Sequence, residues 1–168
     1  MESEVGKGTT ITLEIPHRIV HEAVASPDEQ EADYSVLQGK SVLLAEDNEL
    51  NREIAEELLK DAGMSVRSAA DGIECISILT AELPGTFDFI LMDLQMPNMD
   101  GLKATAAIRE IDDKSKASIP IIAMTANVFD ADRKRAFAAG MDGFAGKPIQ
   151  IEELKRELVR VLSENSQD

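Results

Sequence analysis

The hydrophobic pattern of the chain changes at residue 39. From there on, short apolar runs alternate with longer segments in which apolar residues recur at helical spacing. Short apolar runs bounded by turn residues are typical of buried strands, whereas the longer spacing is typical of amphipathic helices. The short runs predict five strands, over residues 41–45, 64–69, 87–92, 120–125 and 143–146.

The segments between these runs predict five helices. The first passes through Leu50, Ile54, Leu58 and Leu59 and ends at Gly63, and the others cover residues 72–82, 102–111, 129–139 and 149–162, with a charged loop at 112–116. Strands that alternate with helices form a parallel sheet covered on both faces. The predicted fold class is therefore α/β, a five-stranded parallel sheet in the flavodoxin-like order 2-1-3-4-5. Arg67 interrupts the second run, which favours a position nearer the sheet edge for that strand.

Polar and charged residues stand at the carboxyl ends of four of these strands. Glu46 and Asp47 follow the first strand, Asp93 follows the third, Thr125 ends the fourth, and Lys147 follows the fifth. The carboxyl ends of parallel strands meet at one edge of an open sheet, where ligands bind. The coincidence of these residues at one level predicts a functional site.

Each of these residues also has a structural explanation when it is taken alone. Asp47 or its neighbour Asn48 can cap the following helix. Thr125 can be a turn hydroxyl and Lys147 a surface lysine, while Asp93 can be held by a structural partner. Their combination, rather than any single residue, favours the functional interpretation.

The chemistry of the set favours a divalent cation and a phosphoryl group. Crowded carboxylates repel one another, and carboxylate, carbonyl and water ligands suit Mg²⁺. The sequence has no Cys/His cluster of the kind that binds zinc. With the cation in place, Asp93 can act as a nucleophile toward phosphorus. Lys147 then supplies a second positive charge, and Thr125 a hydrogen bond, to the phosphoryl oxygens.

Composition excludes several other classes of function. A net charge of −15 argues against general binding to nucleic acid or to anionic membranes. A hydrophobic content of 43% with only 4% aromatic residues predicts an aliphatic core. The single cysteine, Cys75, cannot form an intramolecular disulfide and is expected to be a small buried hydrophobe. We find no signal peptide and no apolar run long enough to span a bilayer, so we expect a cytoplasmic location.

The first 39 residues do not follow the strand–helix pattern. Residues 6–16 form one amphipathic strand after a glycine turn, and the sequence suggests no partner for it. The Gly6-Lys7-Gly8 segment does not satisfy the P-loop pattern. Residues 18–39 are polar and acidic and predict a flexible linker. His21 within it and His17 just before it are interpreted as solvated side chains.

Residues 40–163 resemble the receiver domains of two-component signalling. The motifs that carry the resemblance are Leu44-Ala45-Glu46-Asp47-Asn48, the segment 91–101 (LMDLQMPNMDG), Ala123-Met124-Thr125-Ala126-Asn127 and Lys147-Pro148-Ile149. The resemblance implies that Asp93 is the phosphoacceptor. It also implies a magnesium site in which Asp47 binds directly, Glu46 binds mainly through water and Gln95 contributes its backbone carbonyl.

The same resemblance assigns the residues that respond to phosphorylation. It implies that Thr125 is the switch hydroxyl, that Lys147 is the lysine that contacts the phosphoryl group, and that Phe144 is the aromatic residue that rotates inward. These residues would pass the change to the face formed by the helix at 129–139 and the fifth strand. The Lys147–Pro148 peptide bond is expected to be cis.

Residues 1–17 resemble the last strand of the ATP-binding domain of sensor histidine kinases, which ends in a glycine turn, an alternating strand and a proline. The order of kinase strand, acidic linker (18–39), receiver (40–163) and disordered tail (164–168) therefore resembles the carboxyl end of a hybrid sensor histidine kinase. The implied partners are a histidine kinase domain and a histidine phosphotransfer domain, and no nucleic acid or membrane contact is expected for this segment. The parent kinase can be membrane-anchored, and no DNA-binding module follows the last helix, which argues against a transcription factor.

Two other classes of function fit these residues less well than a phosphoacceptor switch. A Mg²⁺-dependent phosphohydrolase with an aspartyl-phosphate intermediate needs an acid two residues after the nucleophile, where this chain has Gln95. A flavodoxin-like nucleotide or flavin binder needs a loop rich in Gly, Ser and Thr after the first strand, where this chain has acidic residues. A degenerate, purely structural receiver is disfavoured because every expected site residue is present. We therefore expect a self-phosphorylating switch rather than an enzyme with multiple turnover.

Overall fold

The computed structural model describes residues 2–4, 8–10, 34–126 and 130–165. The chain divides into two compact units, with the boundary between residues 31 and 32. In the first unit, Glu2–Glu4 pairs antiparallel with Gly8–Thr10. The sequence-based expectation that the strand after the glycine turn has no partner was therefore wrong, because the polar Glu2–Glu4 segment lacks the alternating apolar residues by which strands are recognised. The remainder of that predicted strand, residues 11–16, lies outside the described residues.

The second unit contains the predicted sheet. Its strands are β1 (Ser41–Ala45), β2 (Ser65–Ala69), β3 (Phe89–Asp93), β4 (Ile121–Thr125) and β5 (Gly143–Gly146). They are all parallel and lie in the order β2-β1-β3-β4-β5. The predicted α/β class and strand order are thus confirmed, and β2, which contains Arg67, is an edge strand.

Helices follow or connect these strands. They are α1 (Glu49–Asp61), α2 (Gly72–Ala81), α3 (Gly101–Arg109), α4 (Asp130–Ala138) and α5 (Ile151–Asn165). Each of the first three is preceded by a capping residue whose side-chain oxygen accepts a backbone N–H of the first turn: Asn48, Asp71 and Asp100. This capping satisfies amide groups that the helix itself leaves unpaired.

A sixth helix, Lys114–Ala117, occupies the segment predicted as a charged loop. Asp113 caps it by accepting hydrogen bonds from the backbone N–H and the hydroxyl of Ser115. The guanidinium of Arg109, at the end of α3, donates to the carbonyl oxygen of Ala117 at 2.7 Å and also bonds the carboxylate of Asp142. This helix was not predicted because its four residues, mostly polar, are too few to show an apolar periodicity.

The hydrophobic core lies in two layers, one on each face of the sheet. Alternating strand residues divide between them, so that Leu43 and Ile90 face α2 and α3, whereas Leu44 and Leu91 face α1 and α5. Cys75 belongs to the first layer and is fully buried as a free thiol, as the sequence indicated. Burial, reinforced by the charges of Asp71 and Glu74, raises the pKa of the Cys75 thiol to about 12. The thiol therefore stays protonated and unreactive at neutral pH.

The boundaries of the predicted linker and tail need correction. Tyr34–Leu37, which the sequence interpretation placed in the linker, forms a 3-10 helix, and the side chain of Leu37 is buried with only 1% exposed. Leu37 packs into the core layer below α1 and α5. At the other end, α5 continues through Asn165, two residues into the predicted tail that begins at 164, and residues 166–168 lie outside the described part. A lone leucine in a polar segment has no period to mark it, which is why the sequence analysis missed this anchor.

Across residues 34–126 and 130–165, no helix combines the length and the apolar character that crossing a membrane requires.

We predict that Leu37→Ala lowers the free energy of unfolding by about 2–4 kcal/mol, because it removes a buried side chain and leaves a cavity under α5. The neighbouring Val36 is 47% exposed and provides a matched control: Val36→Ala is expected to change the stability by less than about 0.5 kcal/mol. Urea denaturation of both variants followed by circular dichroism measures the difference. Equal stability of the two variants would show that the 3-10 helix is not part of the folded receiver unit.

Candidate functional site

The strand register brings the predicted site residues to one level. Ala45 on β1 pairs with Met92 on β3, so the next residues, Glu46 and Asp93, lie side by side. Asp93 in turn pairs with Met124 on β4. Thr125 pairs with Gly146, which places Lys147 next to the end of β4. Parallel pairing therefore converts positions that are distant in the sequence into neighbours at the carboxyl edge of the sheet.

Three carboxylates converge at this edge. Glu46, Asp47 and Asp93 each place one oxygen within 4.8 Å of the others. Glu46 and Asp93 are almost fully buried, at 2% and 5% exposure, whereas Asp47 is exposed. Burial of carboxylates is costly unless they are paired with positive charge. The cluster therefore needs a cationic counterpart.

Lys147 supplies part of that charge. Its ammonium donates a hydrogen bond to Asp93 Oδ2 at 2.6 Å and another to Glu46 Oε2. Although burial alone would lower it, these hydrogen bonds and the negative charges of Asp93 and Glu46 hold the pKa of the Lys147 ammonium above its usual value. Lys147 is therefore charged at neutral pH, and its ammonium pairs with Glu46 and Asp93. Its single positive charge offsets only part of the charge of the three clustered carboxylates.

The orientation of Glu46 depends on two residues that the sequence analysis missed. The side-chain amide of Asn51 donates to Glu46 Oε1 at 3.1 Å, and the guanidinium of Arg52 donates to the Glu46 carbonyl oxygen at 2.9 Å. Both lie in the first turns of α1, directly after the acidic loop. A search for polar residues in the first turn of the helix that follows a strand-end acid would have found them.

The cap of α1 answers one question that the sequence left open. The side chain of Asn48 accepts a hydrogen bond from the backbone N–H of Asn51 at 3.0 Å, so Asn48, not Asp47, caps the helix. The carboxylate of Asp47 is exposed at the cleft. It is thereby available to a cation.

The loop after β3 forms the third wall of the site. The backbone N–H of Gln95 donates to Asp93 Oδ1 at 3.0 Å, which fixes the second oxygen of that carboxylate. Gly101 allows α3 to begin close to the strand, since a Cβ atom at this position would lie 2.1 Å from the Asp93 carbonyl oxygen. A side chain there would displace the loop and with it Gln95.

These residues line a cleft of about 250 Å³. Its walls include Glu46, Asp47, Asp93, Gln95, Thr125 and Lys147, so the structure brings together six of the residues singled out from the sequence. Phe144 is half-buried on β5 and packs against the core layer that contains α2 and α3, instead of lining the cleft. Asn127, the last residue of the motif that begins at Ala123, lies outside the described residues.

The Lys147–Pro148 peptide bond is cis, as the resemblance implied. In the same segment, the backbone N–H of Lys147 donates to the Thr125 carbonyl oxygen at 2.8 Å. This bond continues the β4–β5 pairing up to the site. It thereby ties the Lys147 backbone to the end of β4.

Apolar side chains are exposed next to the cleft. Leu50 and Ile54 on α1 are 65% and 49% exposed. Ile54 and the exposed Pro148 share a small depression with Glu46 and Lys147 at the rim of the site. The helical spacing of Leu50 and Ile54 was part of the prediction of α1, but the buried residues of that helix are Ala55 and Leu59. We refer to Leu50, Ile54 and Pro148 as the apolar rim.

Comparison with known proteins identifies the family to which this fold and cleft belong. Residues 42–159 match the response regulator receiver domain family. Hybrid signal transduction histidine kinase L of Dictyostelium discoideum is 40% identical over 142 residues, which cover 84% of this chain and 8% of that protein. Sensor histidine kinase AruS of Pseudomonas aeruginosa is 38% identical over 161 residues, which cover 96% of this chain and 15% of that protein. The chain thus spans only a small part of these relatives.

Solved structures share the fold. The receiver domain of sensor histidine kinase PA1611 of P. aeruginosa, which has a magnesium ion coordinated in its active-site cleft, is 37% identical, with a TM-score of 0.66 over 74% of this chain and 98% of that one. The receiver domain of the response regulator Ssk1 of Saccharomyces cerevisiae was solved with the histidine phosphotransfer protein Ypd1; that structure is 29% identical, with a TM-score of 0.63 over 70% of this chain and 84% of that chain.

The family match covers more than half of the chain, and the strand order and the acidic cleft agree with it. The chain belongs to the response regulator receiver domain family, the receivers of two-component phosphorelays.

Proposed function

We propose that Asp93 accepts a phosphoryl group from a phosphohistidine and that Mg²⁺ bound by Glu46, Asp47, Asp93 and the Gln95 carbonyl assists this transfer. The observation that carries the proposal is the convergence of three carboxylates and the Lys147 ammonium in one cleft at the carboxyl edge of the sheet. A purely structural role would not require Asp47 to be exposed at the same cleft. The acidic loop after β1 also disfavours the flavin or nucleotide binder.

The donor set fits Mg²⁺. The cleft offers carboxylate oxygens and lies open to water, and Mg²⁺ prefers oxygen ligands and retains several waters. Asp47 would bind the ion directly, Glu46 mainly through water, and Asp93 and Gln95 would complete the protein ligands. When bound, the ion supplies positive charge to the phosphoryl oxygens and relieves the repulsion among the carboxylates.

The chain's own residues define the transfer step. A carboxylate oxygen of Asp93 forms a bond to phosphorus, the bond between phosphorus and the imidazole nitrogen breaks, and the imidazole keeps the electron pair. Lys147, which stays charged because its pKa is raised, lies against Asp93 and can bind a phosphoryl oxygen as the acyl phosphate forms. Thr125, buried at the end of β4, can hydrogen-bond another oxygen. Gln95 offers no carboxylic acid to protonate a leaving group, which disfavours the phosphohydrolase alternative.

The output of this reaction is proposed to be a shift between two conformations. Thr125 and Phe144 would respond to the phosphoryl group and change the surface formed by α4 and β5. The backbone N–H of Phe144 donates to Glu157 Oε1 on α5 at 2.9 Å. A movement of the Phe144 backbone would therefore be passed directly to α5.

The partners proposed for this site are a histidine kinase domain and a histidine phosphotransfer domain. The apolar rim lies beside the cleft, where a helix that carries the phosphohistidine would have to dock. Exposed apolar side chains next to a reactive group are typical of an interaction surface. The solved complex of the Ssk1 receiver with Ypd1 supports a partner of this class.

The proposal extends to the parent protein. We assign residues 1–17 to the end of a kinase ATP-binding domain and place the acidic linker between it and the receiver. Similarity to AruS over 96% of this chain supports this order. A hybrid histidine kinase with its receiver in the cytoplasm, where ATP is available, accounts for the whole segment.

We predict that Asp93→Asn lowers labelling by acetyl phosphate at least about 100-fold, because the amide is a far poorer nucleophile than the carboxylate. Chelation of divalent cations is expected to suppress labelling of the wild type as well. Mass spectrometry of the modified peptide identifies the residue. Asp112→Asn, which alters an exposed aspartate in the loop after α3, serves as the control and is expected to be labelled like the wild type. Labelling of Asp93→Asn at the wild-type rate would overturn the proposal.

We predict that Ile54→Glu lowers kcat/KM for transfer from a phosphorylated histidine phosphotransfer domain about 10- to 100-fold, because a charge would be buried in the docked rim. Labelling by acetyl phosphate is expected to stay unchanged, since that donor needs no docking surface. Leu83, which is 80% exposed after α2, provides the matched control as Leu83→Glu. If Ile54→Glu and Leu83→Glu had the same effect on transfer, the apolar rim would not be the docking surface.

A further inference from the structure

The loop between β3 and α3 contains a strained turn. Asn98 has φ 59°, the one non-glycine residue with positive φ among the described residues. Around it, the backbone N–H of Met99 donates to the Pro97 carbonyl oxygen at 2.6 Å. A three-residue turn with positive φ at its centre is rare and strained, and such strain is retained where the surrounding structure enforces it.

Asp71, at the start of α2, holds Asn98 in this conformation. The side-chain amide of Asn98 donates to Asp71 Oδ2 at 2.7 Å, while Asp71 Oδ1 accepts the backbone N–H of Glu74 at 2.8 Å. These two hydrogen bonds lower the pKa of the Asp71 carboxyl, so it is ionised at neutral pH. The bond to Asn98 is therefore charge-assisted, and it lies at the exposed surface of the loop.

A second bond runs in the opposite direction between the same two segments. The backbone N–H of Gly72 donates to the Met99 carbonyl oxygen at 3.2 Å. The two segments are packed closely here, since a Cβ atom on Gly72 would lie 2.8 Å from that oxygen. The start of α2 thus holds the central residue of the strained turn, Asn98, and the residue after it, Met99. We call the side-chain pair of Asp71 and Asn98 the latch.

The gripped loop is the one that carries Gln95. Only Met96 and Pro97 separate Gln95 from Asn98, and the Gln95 backbone N–H already bonds Asp93 Oδ1 at 3.0 Å. At the far end, Gly101 donates to the Leu94 carbonyl oxygen at 3.3 Å, which closes the loop on itself. A loop this short transmits a displacement at Asn98 to the Gln95 peptide group.

We propose that Asp71 and Asn98 are positioning residues for the cation site: the latch holds the loop so that the Gln95 backbone is preorganised for a divalent cation. This inference rests on the proposed magnesium site and adds two residues that touch neither the cation nor the phosphoryl group. Groups that orient metal ligands contribute to affinity because they remove the cost of ordering the ligands on binding.

Two substitutions break the latch while they keep the local backbone. Asn98→Gly removes the side chain but adopts positive φ without strain. Asp71→Ser still caps α2, since serine is a good capping residue, but lacks the second oxygen that Asn98 needs. Isothermal titration of the purified chain with Mg²⁺ is expected to show a dissociation constant raised about three- to tenfold in each variant. The double variant is expected to bind no more weakly than the singles, because both remove the same interaction.

A reciprocal exchange tests whether the hydrogen bond itself matters. Asp71→Asn combined with Asn98→Asp reverses donor and acceptor, keeps the charge of the pair, and places residues that tolerate positive φ and cap helices. Mg²⁺ affinity in this variant is expected to return to within about twofold of the wild type. Hydrogen exchange of the Gln95 amide, measured without Mg²⁺, is expected to be faster in Asn98→Gly than in the wild type and in the exchanged pair.

The outcomes separate this inference from the proposed function. If the wild type binds Mg²⁺ but Asn98→Gly and Asp71→Ser bind it equally well, the latch is not a positioning device and only this inference fails. If the exchanged pair binds as weakly as the single variants, the inference also fails. If the wild type binds no Mg²⁺, the metal site itself is wrong and the inference falls with it. Urea denaturation shows whether each variant is folded, and Asn98→Gly alone suffices should Asp71→Ser not fold.

Discussion

The structure at the carboxyl edge of the sheet depends on one ion cluster, in which the Lys147 ammonium lies between the carboxylates of Glu46 and Asp93. Buried carboxylates that repel each other would destabilise the ends of β1 and β3 without it. The Lys147 side chain is only 16% exposed, so little water screens its attraction to the two carboxylates. The cluster makes buried carboxylates compatible with a folded sheet, and it leaves an excess of negative charge that a divalent cation can neutralise.

The parallel register makes this cluster possible. Core residues on both faces of β1, β3 and β4 fix the strands in place, and a shift by one residue would turn each apolar side chain to the wrong face. The polar residues lie just where the apolar runs end. Stability therefore resides in the strands and reactivity at their ends, and a substitution in the core affects the site only by moving those ends.

Sequence reasoning was sufficient for features that repeat or that stand at element ends. Apolar periodicity predicted the strands and helices, and their alternation predicted the sheet order. The positions of Asp93 and Lys147 at strand ends predicted that their side chains lie together, because parallel pairing brings strand ends to one edge. It was insufficient where the cause is tertiary. Leu37 has no periodic neighbours, and Asn51 orients Glu46 through a bond that sequence spacing does not show. Leu50 and Ile54 fit a helix pattern equally well whether they face the core or solvent.

The same distinction explains why the loop after β3 is more than a connection. Its sequence, with Pro97 and Asn98, predicts a turn, but not which other segment holds the turn in place. Asp71 lies on a different element, and its partner is chosen by the packing of α2 against α3. The proposed cation site takes the backbone carbonyl of Gln95 as a ligand, and a carbonyl group cannot be oriented by a rotamer, so it requires such external support. On this proposal the start of α2 belongs to the functional unit as much as the strand ends do, although it contributes no ligand.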